Sequence, residues 1–552
     1  MSEQPRGVEA AFRTTSGRVR GRGAGDGVTA VLGIPYAAAP FGARRFREPQ
    51  PVPAWRGVRD CTAFGPTAPQ SAELPGAPVW RPGDEDILTV NVWVPERADG
   101  GGLPVFFWIH GGAYTFGSSA QPDFDGTALA RAGLVVVSCN YRVGFEGFGN
   151  VSGFPGNRGL LDQAAALGWV RENIAAFGGA PGNVTVAGHS AGGGSVACLM
   201  AMEQARGLFR RAIAHSVPSA FFTVELAAAV TERIAAEAGV APTAEGLLSV
   251  PPEALVAASD KATANCGTDP VAAIHAFDPV IFQPVVDGEV LAADPLSALA
   301  SGAAREVDLL VCHTLEEHWF LHTVGAVREV ITEAELTDFA AALHLPVHLV
   351  DGYRALMPDS PVLDRYLAIF GDAQFGEYTT RLAEHHARAG GRAYLARFAR
   401  RRGEARPWHT ADIPFAFGNL DAVGADFLIG GAPDDHDRAL SRRMLRSWAG
   451  FAATGDPGWP AVTAGTTPVR SWAVPGDHLA ADDTSGLRAL WRDVRFDPLR
   501  PRQAAGHRSR ASTQLGIREP VVSVYTPAAS DAGGCASPSA GAMAGSRRIR
   551  RI

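Results

Sequence analysis

The sequence predicts an α/β fold in which a large, mostly parallel central sheet is flanked by helices. Three observations lead to this prediction. Strand-like and helix-like segments alternate through the first half of the 552 residues, and the strand-like segments are continuous apolar runs. In addition, 46% of the residues are hydrophobic and 19% are charged, which suits a soluble chain with a sizeable buried core. Because strand–helix–strand units connect through right-handed crossovers, the alternation indicates parallel pairing.

Two apolar runs in the first half, residues 103–110 and 133–141, have the composition of strands buried on both faces. They read LPVFFWIH and GLVVVSCNY, and glycines border both of them. A run without polar alternation is typical of a parallel strand that has helices on either side. The stretch NVTVAG, residues 183–188, is predicted to be a third strand of the same kind.

Helices are predicted between and after these strands. The segment GLLDQAAALGWVRENIAAFGG, residues 159–179, places its apolar side chains three or four positions apart. It ends in a glycine pair that suits a C-terminal cap. Residues 225–265 and 325–390 are alanine-rich with helical patterns, and we expect them to be insertions over one end of the sheet.

Composition excludes several classes of function. The net charge of -7 is mild for this length, so we expect neither a nucleic-acid nor a membrane partner. The start MSEQPRGVEAAF lacks the pattern of a signal peptide, and no apolar run is long enough to span a bilayer. The cysteines are scattered without CxxC pairs, which favours buried free thiols and predicts a reducing, cytoplasmic location.

The chain is predicted to form one domain over residues 1–501, followed by a tail. Residues 502–552 are rich in Ala, Ser, Gly and Arg and end in SRRIRRI. Such a segment cannot bury enough apolar surface to fold, so we expect it to be disordered.

The stretch VTVAGHSAGGGS, residues 184–195, places Ser190 in the pattern Gly-x-Ser-x-Gly. Three fixed positions are a weak signal in a chain with 63 glycines. The context is more specific, because a β-branched strand, the serine and then the apolar stretch SVACLMAM form the strand–turn–helix of a nucleophile elbow. Such a serine adopts strained dihedral angles that small neighbours such as Gly188, Gly192 and Gly193 allow.

The segment IHGGAYTFGS, residues 109–118, supplies a second motif. It places two glycines directly after a buried strand, where an oxyanion hole is needed. We expect the backbone N–H groups of Gly111 and Gly112, with that of Ala191 just after the serine, to converge on one oxygen. The two motifs together predict acyl transfer with Ser190 as the nucleophile.

Further long stretches match one family of enzymes: GIPYAAAPFGARRFREPQPVPAW, DEDILTVNVWVP, NYRVGFEGFGN, WHTADIPFAFGNL and WAGFAATGDPGWP. With the two motifs above, they make the sequence resemble the type-B carboxylesterase family, which includes cholinesterases and bacterial para-nitrobenzyl esterases. The resemblance runs from about Arg18 to Arg500. It implies an α/β-hydrolase fold with helical insertions over an active-site gorge, and hydrolysis of carboxylic esters. We expect no cofactor and no metal.

The resemblance implies a catalytic triad of Ser190, His409 and an acid in the segment VDLLVCHTLEEHWF. The family shows Gly-Thr-Asn-x-Asp-Glu-Gly in that segment. This chain departs from the pattern at four positions: Cys312, His313, Leu315 and His318. Alignment on the strand VDLLV places Glu317 on the catalytic acid, and a slip of one residue would place Glu316 there. The order serine, acid, histidine is that of the α/β-hydrolases.

The implied mechanism passes through an acyl-enzyme. His409 accepts the Ser190 proton as the hydroxyl oxygen attacks the ester carbonyl, and Glu317 fixes the tautomer of the imidazole and stabilises the imidazolium. Water, the second substrate, then hydrolyses the acyl-enzyme.

Two further features concern the surroundings of the triad. The family commonly has Glu before the nucleophile, and this chain has His189. Either a titratable imidazole at this position shifts the active pH range, or a neutral imidazole fills the space, which is the interpretation we favour. The resemblance also implies two ion pairs that hold loops around the gorge, Arg45 with Glu85 and Arg142 with Asp162.

An apolar gorge is expected, with Phe116, Trp319 and Phe320 as candidate substrate-binding residues. Such a gorge favours uncharged esters with short to medium acyl chains and alkyl or aryl alcohols. Hydrolysis of a carbamate or an activated amide is the nearest alternative, and a lipase or a non-catalytic binding protein are others. His318 and His322 have the spacing of a metal pair but no third ligand, so we expect no metal there. We expect a monomer or a homodimer.

Overall fold

An eleven-stranded sheet forms the centre of the computed structural model, which describes residues 11–71, 79–96, 102–481 and 486–502. The strands within these residues, numbered in chain order, are β1 (Ala11–Arg13), β2 (Arg18–Arg20), β3 (Arg22–Gly25), β4 (Val28–Pro35), β5 (Val58–Asp60), β6 (Thr89–Pro95), β7 (Leu103–Ile109), β8 (Val135–Cys139), β9 (Gly179–His189), β10 (Arg211–His215), β11 (Phe222–Thr223), β12 (Val285–Val286), β13 (Asp308–Thr314), β14 (Ala393–Phe398), β15 (Pro468–Trp472) and β16 (His478–Ala481).

The α-helices lie between the strands and in two longer helical regions. In the same residues they are α1 (Thr127–Arg131), α2 (Gly144–Phe148), α3 (Arg158–Asn173), α4 (Ala191–Ala201), α5 (Val224–Glu237), α6 (Ala244–Ser249), α7 (Pro252–Asn265), α8 (Pro295–Ala300), α9 (Glu317–Thr323), α10 (Glu333–Ala342), α11 (Val347–Leu356), α12 (Val362–Gly371), α13 (Glu377–Arg388), α14 (Ile413–Phe417), α15 (Ala425–Ile429), α16 (Asp435–Thr454) and α17 (Leu487–Trp491). The predicted helical content of residues 225–265 and 325–390 is confirmed.

The central sheet is parallel in its middle and antiparallel at its edges. Its order is β16-β15-β14-β13-β10-β9-β7-β8-β6-β4-β3. All neighbouring pairs from β15 to β8 are parallel, and the remaining pairs at both edges are antiparallel. The predicted fold class, a large and mostly parallel sheet flanked by helices, is confirmed.

The apolar runs are strands because both of their faces are buried. Along β7, Phe107 packs into the core on one face of the sheet, while Phe106 and Trp108 pack into the core on the other. Successive side chains of a strand point to opposite faces, so a strand between two helical layers needs apolar residues at every position. The runs predicted at residues 103–110 and 133–141 are β7 and β8, shorter by one and by four residues.

The helix predicted after β8 is α3, and it ends as its sequence indicates. After α3 the chain makes a 3-10 turn at Ile174–Phe177, and Gly178 closes it with φ of 79°. This left-handed conformation favours glycine, which has no Cβ to clash. The chain then enters β9, a central strand that ends at the nucleophile motif.

The C-terminal ends of five parallel strands meet at one edge of the sheet. These are β7, β9, β10, β13 and β14, and the segments that follow them contain every predicted site residue. Open α/β sheets place their functional groups at this edge, because the loops that leave parallel strands converge there.

One predicted ion pair is confirmed and the other is wrong. Arg142 and Asp162 are both buried and lie 2.7 Å apart. Arg45 pairs with Glu146 at 2.6 Å, and not with the predicted Glu85. Glu146 lies in α2 and is 3% exposed, whereas Glu85 is exposed to solvent. A buried guanidinium requires a carboxylate that is buried with it, and Glu146 meets that condition.

Several other expectations concern the cysteines, the tail and the helices. Five cysteines are buried and free, as predicted: Cys61, Cys139, Cys198, Cys266 and Cys312. Cys535 and the predicted tail over residues 502–552, apart from Arg502, lie outside the described residues. The helices in the described part of the chain are all too short or too polar to cross a membrane.

Candidate active site

Ser190 lies on a sharp turn between β9 and α4. Its backbone has φ of 57° and ψ of -125°, a strained conformation for a residue with a side chain. The Ser190 N–H donates to the carbonyl of His215 at 3.0 Å, which ties the turn to the neighbouring strand β10. A Cβ on Gly192 would lie 2.1 Å from the Ile109 carbonyl oxygen, so only glycine fits there. This is the geometry of a nucleophile elbow.

The three predicted oxyanion donors lie around this turn. A Cβ added to Gly111 would lie 3.1 Å from the Cβ of Ser190, so the two residues are in close contact. Gly112 has φ of 117°, and Ala191 is the first residue of α4. None of their N–H groups donates to another residue in the described ranges. The positive end of the α4 dipole adds to the attraction for an anion at this point.

His409 and Glu317 form a buried hydrogen-bonded pair. The Nδ1 atom of His409 lies 2.5 Å from Oε2 of Glu317, and the two residues are 5% and 2% exposed. The other carboxylate oxygen, Oε1, accepts from the Ser216 hydroxyl at 2.7 Å and from the Thr314 N–H at 2.8 Å. With Nδ1 donating to the carboxylate, Nε2 is the nitrogen left to accept a proton.

Glu316, the alternative acid, points elsewhere. Its carboxylate pairs with Arg401 and, at 2.9 Å, with Arg406. The geometry therefore brings Glu317 to the imidazole and directs its neighbour to a pair of arginines.

Two rings pack against the imidazole of His409. The ring centroids of His189 and Phe375 each lie 4.5 Å from that of His409, and Phe320 lies 6.5 Å away. Phe375 belongs to a π-helical turn, Asp372–Gly376, between α12 and α13. Such turns are often found at functional sites. Among the described residues, no side chain hydrogen-bonds to the Ser190 hydroxyl. Catalytic hydrogen bonds are often long in a structure without substrate and tighten when substrate binds.

His189 is a neutral residue that fills space beside the imidazole. It is 4% exposed, and its Nε2 atom has no hydrogen-bond partner among the described residues. Burial lowers the pKa of the His189 imidazole well below its usual value, and the neighbouring His409 and His215 lower it further. The structure thus favours the space-filling interpretation over a pH-sensing one.

The candidate substrate-binding residues are only partly brought together. Phe116 is half-buried, and its ring lies beside Gly112, while Phe320 is close to His409. Trp319 instead lies under the guanidinium of Arg406, 5.0 Å from the ring centroid.

The histidine pair with metal-like spacing has separate surroundings. His318 packs its ring on Phe370 at a centroid distance of 4.0 Å, whereas His322 faces Glu329. Metal coordination requires donor atoms that converge on one point. The contacts of the two rings are with different residues, Phe370 and Glu329, and no shared contact brings them together.

Sequence reasoning missed Ser216 and Phe375. Ser216 follows strand β10 at the same sheet edge as the motifs, so its place after an apolar strand was an available signal. Phe375 carried no such signal, because a π-helical turn has no sequence pattern of its own. This sheet, the strained elbow and the buried histidine–glutamate pair together define the α/β-hydrolase class of enzymes.

Comparisons with known proteins specify the class further. Residues 8–472 match the Carboxylesterase family. The para-nitrobenzyl esterase of Bacillus subtilis (strain 168) is 36% identical over 470 residues, covering 81% of this chain and 91% of the relative. The phenmedipham hydrolase of Pseudarthrobacter oxydans is 34% identical over 481 residues, covering 83% and 94%. The crystal structure of a Geobacillus stearothermophilus carboxylesterase matches with a TM-score of 0.75 at 36% identity, covering 87% and 100%.

The chain therefore belongs to the carboxylesterase family and is a serine carboxylic ester hydrolase.

Proposed function

We propose that this enzyme hydrolyses uncharged alkyl and aryl esters of short to medium chain length through a triad of Ser190, His409 and Glu317. The observation that carries the proposal is the buried contact of 2.5 Å between His409 Nδ1 and the Glu317 carboxylate. It fixes the tautomer whose Nε2 can accept a proton from the serine on the adjacent elbow.

The reaction proceeds in two halves. In the first, His409 takes the Ser190 proton as the oxygen attacks the ester carbonyl, and the oxyanion is stabilised by the N–H groups of Gly111, Gly112 and Ala191. Loss of one such donor typically costs about 3 kcal/mol of transition-state stabilisation. The protonated imidazole then donates to the leaving alcohol. In the second half, His409 activates a water that hydrolyses the acyl-enzyme.

The preference for uncharged substrates follows from the side chains around the imidazole. The rings of Phe116, Phe320 and Phe375 are apolar, and His189 is neutral. A substrate that carries a charge would lose its hydration against these rings without gaining a partner of opposite charge from them.

The test is hydrolysis of p-nitrophenyl esters with acyl chains from acetate to laurate. We expect the highest kcat/KM with short to medium chains, and a loss on the order of 10⁵-fold or more in Ser190→Ala. Ser195→Ala is the matched control, since Ser195 lies in α4, accepts a hydrogen bond from Gln163 at 3.1 Å and belongs to a different contact network. Unchanged hydrolysis by Ser190→Ala would refute the triad. Binding of esters without turnover by the parent would indicate a binding protein.

The second candidate function is hydrolysis of a carbamate or an activated amide on the same triad. It is motivated by the relative named phenmedipham hydrolase, which covers most of this chain. Phenmedipham is therefore the probe to compare with p-nitrophenyl acetate. A higher kcat/KM for phenmedipham would make the second candidate the principal activity. Preference for emulsified long-chain esters over soluble ones would indicate a lipase instead.

A further inference from the structure

A second buried histidine–carboxylate pair lies below the triad. The Nδ1 atom of His215 is 2.6 Å from Oδ2 of Asp412, and both residues are 0% exposed. On the other side of the ring, the indole N–H of Trp448 donates to Nε2 of His215 at 2.8 Å. We call these three residues the His215 network.

The indole fixes the tautomer of His215. Because an indole N–H can only donate, Nε2 must accept, and the ring proton is therefore on Nδ1 and donates to Asp412. Cys312 lies close by, so that donor atoms of His215, Cys312 and Asp412 are all within 4.8 Å of one another. A metal ion would need a lone pair on Nδ1, the atom that carries the proton in this tautomer. The arrangement is that of a hydrogen-bonded network.

The triad and the His215 network join the same segments of the chain. Ser216 directly follows strand β10, and its hydroxyl donates to the Glu317 carboxylate. The preceding residue, His215, ends β10 and hydrogen-bonds to Asp412. The loop before α14 carries His409, which belongs to the triad. Three positions later the same loop carries Asp412, which belongs to the second pair. The His215 carbonyl also accepts the Ser190 N–H. His215 thus touches both the nucleophile turn and the loop that carries the base.

That loop contains a strained residue. Thr410, between His409 and Asp412, has φ of 76°, in the left-handed region that residues with a side chain rarely adopt. Such a conformation persists only where surrounding contacts hold it. Two contacts flank Thr410: the bond from His409 to Glu317 on one side and the bond from Asp412 to His215 on the other.

We propose that Asp412 and His215 are positioning residues for the base: their bond holds the strained loop so that His409 stays on Glu317 and faces Ser190. Both residues are 0% exposed, so we assign them no contact with the substrate. The inference rests on the proposed function, because it acts through His409.

The main variant is Asp412→Asn, measured as kcat and KM with p-nitrophenyl acetate. We expect kcat to fall by about 10- to 100-fold with KM changed by less than about twofold, because a misplaced catalytic group lowers the rate of the chemical step. Thr410→Gly in the Asp412→Asn background relieves the strain, and we expect it to restore kcat by about 10-fold. A role in general stability alone would not produce this rescue.

Asp437→Asn is the matched control for the loss of a buried carboxylate. Asp437 is 1% exposed and binds Arg400 through both oxygens at 2.9 Å. The other hydrogen-bond partners of its carboxylate in the described part of the chain are Arg402 and Asp434, and neither belongs to the triad or to the His215 network. We expect Asp437→Asn to lower Tm and to leave the kcat of the folded fraction within about twofold of the parent. An equal fall of kcat in both variants would overturn the proposal.

A second pair of variants addresses the ring itself and keeps the proposal testable if Asp412→Asn does not fold. His215→Gln retains one donor for Asp412 and one acceptor for Trp448, whereas His215→Leu removes both. We expect the Gln variant to keep kcat within about threefold and the Leu variant to lose at least about 10-fold. Equal kcat in the Gln and Leu variants would overturn the proposal, as would failure of Thr410→Gly to restore activity.

Failure of this inference is distinguishable from failure of the proposed function. If Ser190→Ala is inactive and Asp412→Asn has the parent's kcat, the triad stands and the positioning role is refuted. If Ser190→Ala remains active, the proposed function and the inference fall together. Stoichiometric zinc in the purified parent that is lost in Asp412→Asn would also refute the hydrogen-bonded network.

Discussion

The proposed nucleophile side and the proposed acid–base side of this site are built in different ways. On the nucleophile side, Ser190 and the oxyanion loop are positioned by backbone contacts between adjacent strands, so close that a Cβ on Gly192 would collide with a carbonyl. On the acid–base side, side-chain hydrogen bonds join strands β10 and β13 to the loop of His409. The first side therefore depends on the absence of side chains, and the second on satisfied buried polar groups.

Apart from removal of the Ser190 hydroxyl itself, the largest effect is expected on the acid–base side. Glu317→Gln keeps the shape of the side chain but removes the charge that fixes and stabilises the protonated imidazole, so we expect kcat to fall by about 10⁴-fold. Glu316→Gln is the neighbouring control, because Glu316 binds two arginines, and we expect less than about threefold change. Steady-state kinetics with p-nitrophenyl acetate and circular dichroism measure both. Equal losses in the two variants would contradict the assignment of the acid.

The next effect tests the nucleophile side. In Gly192→Ala the new methyl group would lie 2.1 Å from the Ile109 carbonyl oxygen, so the elbow must move. We expect kcat/KM to fall by about 10³-fold, since both the nucleophile and the Ala191 donor are displaced. Gly168→Ala in α3 has open space around the new methyl group and should keep full activity with equal or higher Tm. A Gly192→Ala enzyme with parental activity would refute the steric account.

These two sides also differ in what the sequence reveals. The elbow and the loop of the proposed oxyanion donors are local motifs, so Ser190, Gly111 and Gly112 could be proposed as site residues from residue order alone. The acid–base side depends on contacts between residues far apart in the chain, such as the 197 positions between His215 and Asp412. His409 and Glu317 could be proposed only through a family resemblance, and the sequence contained no pattern for the π-helical turn that carries Phe375.

The wrong partner was predicted for Arg45 because this ion pair, too, depends on contacts between residues far apart in the chain. Glu85 and Glu146 are the same residue type, so the sequence alone does not distinguish them as partners of Arg45. They differ in burial, because Glu146 is buried in α2 and Glu85 is exposed. The fold class, by contrast, follows from apolar runs that every buried strand must have. The sequence therefore predicts the apolar pattern that burial imposes along one helix or strand. It does not predict which buried charges of different elements form a pair.

A third prediction concerns stability on the acid–base side. Burial is the main reason why the pKa of the Asp372 carboxyl is raised from 3.8 to about 7. The hydrogen bond from Tyr353 lowers this pKa and offsets only part of the effect of burial. Between these values the folded state holds a proton that the unfolded state has lost, so stability falls as pH rises from about 4 to 7. The difference between the two pKa values corresponds to about 4 kcal/mol as an upper bound.

Asp372→Asn removes this titration while its amide oxygen can still accept from Tyr353. We expect its free energy of unfolding, from urea titrations between pH 4 and 8, to decrease less with pH than that of the parent. Asp351→Asn, at an exposed position, should retain the parental slope. If Asp372→Asn also shows the parental slope, the carboxyl does not titrate in this range.

The smallest predicted effect is a change in the pH profile. His189→Glu places a carboxylate against the imidazole of His409, the proposed base. This favours the imidazolium and should move the acid limb of the kcat profile to higher pH by about one unit. His189→Gln should leave the limb in place, because the parental imidazole is already neutral. Superimposable profiles for the His189→Glu variant and the parent would show that the position is electrostatically silent.

The most direct test of the account is the rate and the site of labelling by a fluorophosphonate ester. We expect peptide mapping to find the label on Ser190 alone, and His409→Gln to slow labelling by on the order of 10³-fold while the protein remains folded. A label on a different serine, or the same labelling rate in the parent and in His409→Gln, would contradict it.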